Sequence, residues 1–191
     1  MKAAVCREFG KPLVIEEVNL ADAGPGEVRV KIAAVAICHS DITYADGGWG
    51  GTLPAIFGHE CAGVVERVGQ GVTTVKAGDT VVVTLIRSCG HCHGCSRGMP
   101  VTCSTQFPLD AKSPITDAKG NSIVQSMRTG GFAEYVVVHE SQCVSVPTSI
   151  PAPSASLLAC GVITGFGAVT NTAKVAAGSH VVVIGTGGVG L

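Results

Sequence analysis

Polar and apolar residues alternate along 27–32, where Glu27, Arg29 and Lys31 interleave with Val28, Val30 and Ile32. That period of two predicts a strand with one buried face. Residues 2–9 and 13–18 read as two further strands around a Gly10-Lys11-Pro12 turn, and Gly24-Pro25-Gly26 makes the next turn. The β-branched runs 64–68 and 80–85 follow, separated by Gly69, Gly71 and Gly78, and then the runs 132–138 and 143–146. Short strands punctuated by glycine and proline predict a closed or strongly curled β-body. The polar stretch 110–125 reads as an exposed loop.

The period changes after Pro153. Residues 154–159 and 165–173 are alanine-rich, with apolar residues recurring at three and four, which suits helix. Gly161, Gly165 and Gly167 suit a loop-rich buried segment equally well. After a turn at Ala177-Gly178-Ser179, the continuous apolar run 180–184 reads as a buried strand. It leads into Gly185-Thr186-Gly187-Gly188-Val189-Gly190, the spacing of a dinucleotide-binding turn. That hexapeptide alone is a weak signal; a preceding strand strengthens it.

Net charge is −1, there is no basic run, and aromatics are 4 % of the chain, so nothing points to nucleic acid or to a polybasic membrane patch. The start, MKAAVCREFGK, has no apolar central region and does not read as a signal peptide. No charge occurs from Ser141 to Ala173, but its apolar part is short and broken by glycine, so it reads as buried core rather than a membrane span. Nine cysteines, an odd number, with Cys-x2-Cys spacing suit metal binding in a reducing cytoplasm better than disulfides.

Four of those cysteines stand as Cys89-x2-Cys92-x2-Cys95-x7-Cys103. Thiolates at this spacing can turn toward one centre and close a tetrahedral shell, with Gly90 and Gly94 allowing the tight turns. An iron–sulfur cluster is the competing reading. The ferredoxin run places its last cysteine three residues on, before a proline, whereas here seven residues intervene and Ser104 follows. Zinc is therefore preferred. His91 and His93 lie among the ligands but are not needed to fill the shell. Such a saturated zinc has no place for substrate and holds a loop.

Cys38, His59 and Cys160 form a second potential set: two sulfurs and one imidazole, the donors of an open zinc site. No spacing rule connects them, and each taken alone would more commonly be a core residue. Their neighbours raise the prospect. Asp41 stands where it could hydrogen-bond a ligand histidine, Ser40 could carry a proton beside a metal, and Glu60 adjoins His59. Cys6, Cys61 and Cys143 have no motif around them and read as core fillers. Trp49, in a glycine-rich loop, reads as an aromatic packed on the barrel.

Gly58-His59-Glu60-x2-Gly63-x5-Gly69-x2-Val72 resembles the zinc signature of the medium-chain, zinc-dependent alcohol dehydrogenases. Cys38-His39-Ser40-Asp41, the four-cysteine lobe, Cys160-Gly161-x2-Thr164-Gly165 and the glycine hexapeptide follow in that family's order and cover essentially the whole chain. The resemblance implies an α+β chain that is mainly β: a GroES-like β-barrel catalytic domain over 1–174, with a structural zinc lobe at 89–103, then the truncated start of a Rossmann domain over 175–191. It implies two zinc ions per chain, one held by Cys38, His59 and Cys160 and one by Cys89, Cys92, Cys95 and Cys103. Ser40 would take the alcohol proton, with Asp41 and Glu60 hydrogen-bonded behind the ligands. His39, Thr164, Gly185, Gly187, Gly188 and Gly190 would face NAD or NADP, although a solvent-facing His39 reads equally well. Many family members have a relay histidine where this chain has Thr43, so the path beyond Ser40 differs.

The implied activity is oxidation of a small-molecule alcohol to an aldehyde or ketone with NAD(P), in a cytoplasmic protein that is a homo-oligomer when intact. Residues 161–175 also resemble the glutathione-dependent formaldehyde dehydrogenase branch. Because one residue follows Gly190, the sequence predicts a catalytic domain inactive alone. Two other classes remain open: a zinc-bound binding or scaffold module, and a zinc hydrolase using Glu60 as base.

Overall fold

The computed structural model describes all 191 residues. The chain opens with β1 (Lys2–Cys6), β2 (Val14–Glu17), β3 (Asn19–Leu20) and β4 (Glu27–Ala36), then α1 (His39–Ala45). β5 (Ala55–Ile56), β6 (Glu60–Val68) and β7 (Thr80–Val83) follow, then the short helices α2 (His93–Ser96) and α3 (Pro108–Ala111). β8 (Ile115–Thr116), β9 (Ser122–Gln125), β10 (Tyr135–His139) and β11 (Cys143–Ser145) complete the sheets, and α4 (Ala152–Leu157) and α5 (Gly161–Gly167) close the series.

Five strands form an antiparallel sheet in the order β10-β4-β6-β7-β11. Its inner face is almost a valine lattice: Val28, Val30, Val65, Val81, Val83, Val136 and Val138 pack with Cys61 and Cys143. β-Branched side chains suit a pleated, half-buried surface, and alternation keeps Lys31 and Glu66 on the outer face. Register shifts between Arg29 and Val30 and between Ile32 and Ala34 bend the β4–β6 pair, as bulges do. The second sheet runs β2-β1-β5-β9-β8-β3 and buries Val5, Ile56, Ile115 and Ile123. Gly63 lies against the Lys31 carbonyl, where any Cβ would collide with it.

The strands expected along the first half are present within a few residues, and β4 and β6 run longer than the alternation showed. Cys6, Cys61 and Cys143 are buried core residues. Three expectations need correction. Residues 110–125 are not a plain loop: they contain the β8–β9 hairpin, whose Ile115 and Ile123 anchor the second sheet. Two apolar residues in a polar segment were enough, because only one face of a short hairpin must be buried. The helical region begins earlier, with α4 and α5, and continues as a π-turn over Ala168–Thr172.

The third correction concerns 180–184, which form no strand; Val182 and Ile184 are 86 % and 95 % exposed. β-Branched composition favours extended backbone, but a strand exists only with a hydrogen-bonded neighbour, and neither sheet pairs with this run. The segment after it curls back, so that Gly188 and Val189 carbonyls approach Gly161 and Gly165 of α5. At Gly165 a Cβ would collide with the Val189 carbonyl, so this close approach requires glycine there. No helix is long and apolar enough to cross a membrane.

Candidate metal centres

The four-cysteine lobe is made locally. Cys92 is the N-cap of α2, Cys95 lies in that helix, and a 3-10 turn at Pro100–Thr102 returns the chain to Cys103. Gly90 has φ 78°, a left-handed conformation that a Cβ would strain. The four sulfurs lie within 4.8 Å of one another, with Cys89–Cys95 at 4.0 Å and Cys92–Cys103 at 3.8 Å. A tetrahedron with metal–sulfur bonds of about 2.3 Å has edges of about 3.8 Å, so the set fits zinc without rearrangement. A hydrogen bond from Thr105 is the main cause that lowers the Cys89 thiol to about 5, and backbone hydrogen bonds at Cys95 and Ser104 bring Cys92 to about 7. Burial pushes Cys95 up to about 11. His91 turns its Nδ1 to the Cys89 carbonyl at 2.8 Å; neither it nor His93 belongs to the donor group.

The second centre is assembled from three distant loops. Cys38 is the N-cap of α1, His59 immediately precedes β6, Glu60 is its first residue, and Cys160 is the N-cap of α5. Their donor atoms form one group within 4.8 Å. Asp41, 2 % exposed, ties two of the loops together. One carboxylate oxygen accepts from the Cys38 amide at 3.0 Å; the other accepts from the Gly58 amide at 2.9 Å and lies 3.2 Å from His59 Nδ1. That bond leaves Nε2 of the buried imidazole for a metal. Glu60 Oε2 accepts from the Gly161 amide at 3.3 Å and so tethers the third loop. Burial, then the neighbouring Cys38 and Glu60 charges, push the Cys160 thiol up to about 11. Two sulfurs, an imidazole and a carboxylate converge, a donor set that fits zinc.

Ser40 Oγ lies 3.6 Å from Cys38 Sγ, and Thr164 Oγ1 3.9 Å from Cys160 Sγ. A cavity of 310 Å³ opens beside Cys160, lined by Leu85, Ile86, Val101, Ile163 and Thr164 among others. His39 is exposed and outside the donor group; its carbonyl accepts from Thr43 Oγ1 at 3.1 Å. Gly185, Gly187 and Gly188 are exposed, and Gly190 is half-buried. Trp49 is 60 % exposed, edge-on to Tyr44.

Sequence reasoning missed a buried polar knot beside this cavity. Arg87, 1 % exposed, bonds Gln142 at 2.8 Å, Asp110 at 3.0 Å and the Arg128 carbonyl at 3.1 Å. Its signal was an arginine directly after the apolar run that ends at Ile86. The carboxylate of Glu60 within ligand range was also unforeseen.

The structure thus joins a curled β-body to one four-thiolate group and one mixed donor group beside a cavity, each able to hold a metal ion. Residues 24–148 match the family described as the alcohol dehydrogenase GroES-like domain, and the chain belongs to that family. It is 42 % identical to alcohol dehydrogenase-like 7 of Arabidopsis thaliana, aligning over its whole length with 51 % of that protein. Among solved structures, an alcohol dehydrogenase zinc-binding domain protein from Burkholderia ambifaria superimposes with TM-score 0.83 at 36 % identity, covering 90 % of this chain and 48 % of that one. A cinnamyl alcohol dehydrogenase from Sorghum bicolor gives TM-score 0.80 at 30 % identity, covering 99 % and 52 %. The chain thus spans about half the length of the relatives it matches.

Proposed function

We propose that this chain carries the catalytic, zinc-holding part of an alcohol dehydrogenase that interconverts an alcohol and an aldehyde or ketone with NAD or NADP. The observation that carries the reading is the single donor group formed by Cys38, His59, Glu60 and Cys160 at the edge of a mainly apolar cavity. Zinc bound there would supply Lewis acidity that lowers the pKa of an alcohol hydroxyl. Cys38, His59 and Cys160 would hold it, and Cys89, Cys92, Cys95 and Cys103 would hold a second, structural ion. Ser40, beside Cys38, would take the hydroxyl proton. Asp41 fixes the His59 tautomer, and Glu60 seats the Cys160 loop or supplies a further oxygen donor. Thr164 and the turn of Gly185, Gly187, Gly188 and Gly190 would face the nicotinamide cofactor, with His39 toward its pyrophosphate.

In this reading residues 1–174 are the catalytic unit and 175–191 open the cofactor-binding unit. Nine free cysteines support a reducing compartment, and cytoplasmic residence and a homo-oligomeric whole protein belong to the same proposal. A scaffold role leaves the donor group beside the cavity without a use. A hydrolase would need a free base, and Glu60 is engaged by the Gly161 amide. Elemental analysis should return about two zinc ions per chain, and imidazole should bind at the mixed centre only. Iron in place of zinc, or no imidazole binding, would sink this reading.

A further inference from the structure

The cavity beside Cys160 has a cationic wall. Its lining includes Arg87 and Arg128 and no carboxylate. Arg87 is fully engaged by Gln142, Asp110 and the Arg128 carbonyl. Arg128 is not. Its side chain is 42 % exposed, and its Nε lies 3.3 Å from the same Asp110 oxygen that Arg87 uses. The Asp110 carboxylate therefore stands between two guanidiniums; buried Glu27 also acts on Arg87, and Arg128 keeps donors free of any other carboxylate partner. Arg128 also lines a second cavity of 390 Å³ with Tyr44, Phe57 and Met127, where it is the sole charged residue.

The backbone singles out the same position. Met127 and Arg128 have φ 48° and 58°, the left-handed region that residues with a Cβ adopt only at a cost. The turn is held by Arg87 Nη2 and Gln142 Nε2, which both donate to the Arg128 carbonyl, at 3.1 and 3.0 Å. A strained backbone overdetermined by buried donors marks a position set for what its side chain reaches.

We propose that Arg128 determines specificity by binding a carboxylate on the far end of the alcohol or aldehyde whose oxygen faces Cys38, His59 and Cys160. The oxygen end of this assignment rests on the dehydrogenase reading; the carboxylate end rests on Arg128 alone. A guanidinium offers paired N–H donors that match a carboxylate, and the apolar lining of Leu85, Ile86 and Ile163 suits the body between the two ends.

Calorimetry on the zinc-loaded chain tests it with four probes: benzyl alcohol, 4-(hydroxymethyl)benzoate, 4-methylbenzoate and imidazole. The wild type should bind 4-(hydroxymethyl)benzoate at least about tenfold more tightly than benzyl alcohol. Arg128→Gln should erase that preference and the binding of 4-methylbenzoate, while Arg128→Lys keeps part of both. Arg128→Gly should lose the same preference yet melt at or above the wild-type temperature, since glycine relieves the left-handed strain; loss of fold cannot then imitate the result. Imidazole reads the metal end and should bind wild type and Arg128→Gln equally. Absent imidazole binding would remove the dehydrogenase reading, and 4-methylbenzoate would still decide Arg128. No preference in the wild type, or a preference that survives Arg128→Gln, overturns the proposal.

Discussion

Asp41 shows how much one carboxylate can organise. Its two oxygens receive two backbone amides and an imidazole, from chain segments seventeen and eighteen residues away as well as from its own helix start. Replacing one oxygen by an amide nitrogen removes an acceptor and sets a donor against a donor. Asp41→Asn should therefore weaken metal binding at the mixed centre by about 10–100-fold while leaving the four-thiolate centre filled. Chelator competition, followed by zinc release per chain, measures both numbers. Asp41 was readable from its position three residues after Cys38, a helix-start spacing. The bond from Gly161 to Glu60 was not readable, because it joins residues 101 apart.

Between elements, small numbers of polar side chains fasten the connections. Arg87 joins the segment leading into the zinc lobe to α3 through Asp110 and to the β10–β11 connection through Gln142. Arg87→Met would leave both partners and the Arg128 carbonyl short of donors. It should cost about 3 kcal/mol in urea unfolding, the scale for breaking a buried pair by removing one partner. Glu140, between β10 and β11, accepts from the Thr73 and Thr74 amides and the Thr74 hydroxyl, and so pins the β6–β7 connection. Partial burial raises its pKa, but these hydrogen bonds outweigh it and hold the carboxylate below its ordinary 4.5. A group depressed in the folded state stabilises above its unfolded pKa and loses that contribution as pH falls through the folded value. Glu140→Gln should thus cost about 1 kcal/mol at neutral pH, a low figure because solvent screens the site. The gap to wild type should close on acidification below 4.5. A gap that stays constant with pH would contradict this assignment.

Across the whole molecule the two centres should respond differently to loss of a sulfur. The four-thiolate lobe, 89–103, carries two single-turn helical elements and no fully buried side chain, so metal binding there would be part of its folding. The mixed centre sits between elements already held by the valine core and by α4 on β6. Cys95→Ala should lower the melting temperature by about 10 °C or more, whereas Cys160→Ala should lower it by less than about 5 °C and release one zinc. Calorimetric melts with zinc analysis of each variant separate the cases; equal losses would refute the division into structural and open centres.

By itself the sequence determined what depends on near neighbours. The alternation at 27–32 specified a strand, and the spacing of Cys89, Cys92, Cys95 and Cys103 specified a closed shell, because a few residues of backbone fix where those side chains can turn. Tertiary structure alone decided the rest. Ile115 and Ile123 found a sheet to complete, whereas the equally strand-like run 180–184 found no partner and stayed exposed. Cys38, His59 and Cys160 became one centre because Asp41 and Glu60 tie their loops together. Arg87 and Arg128 came to share one carboxylate on the cavity wall in the same way. No spacing along the chain encodes such meetings: they depend on which faces pack, and packing is settled only when the whole core closes.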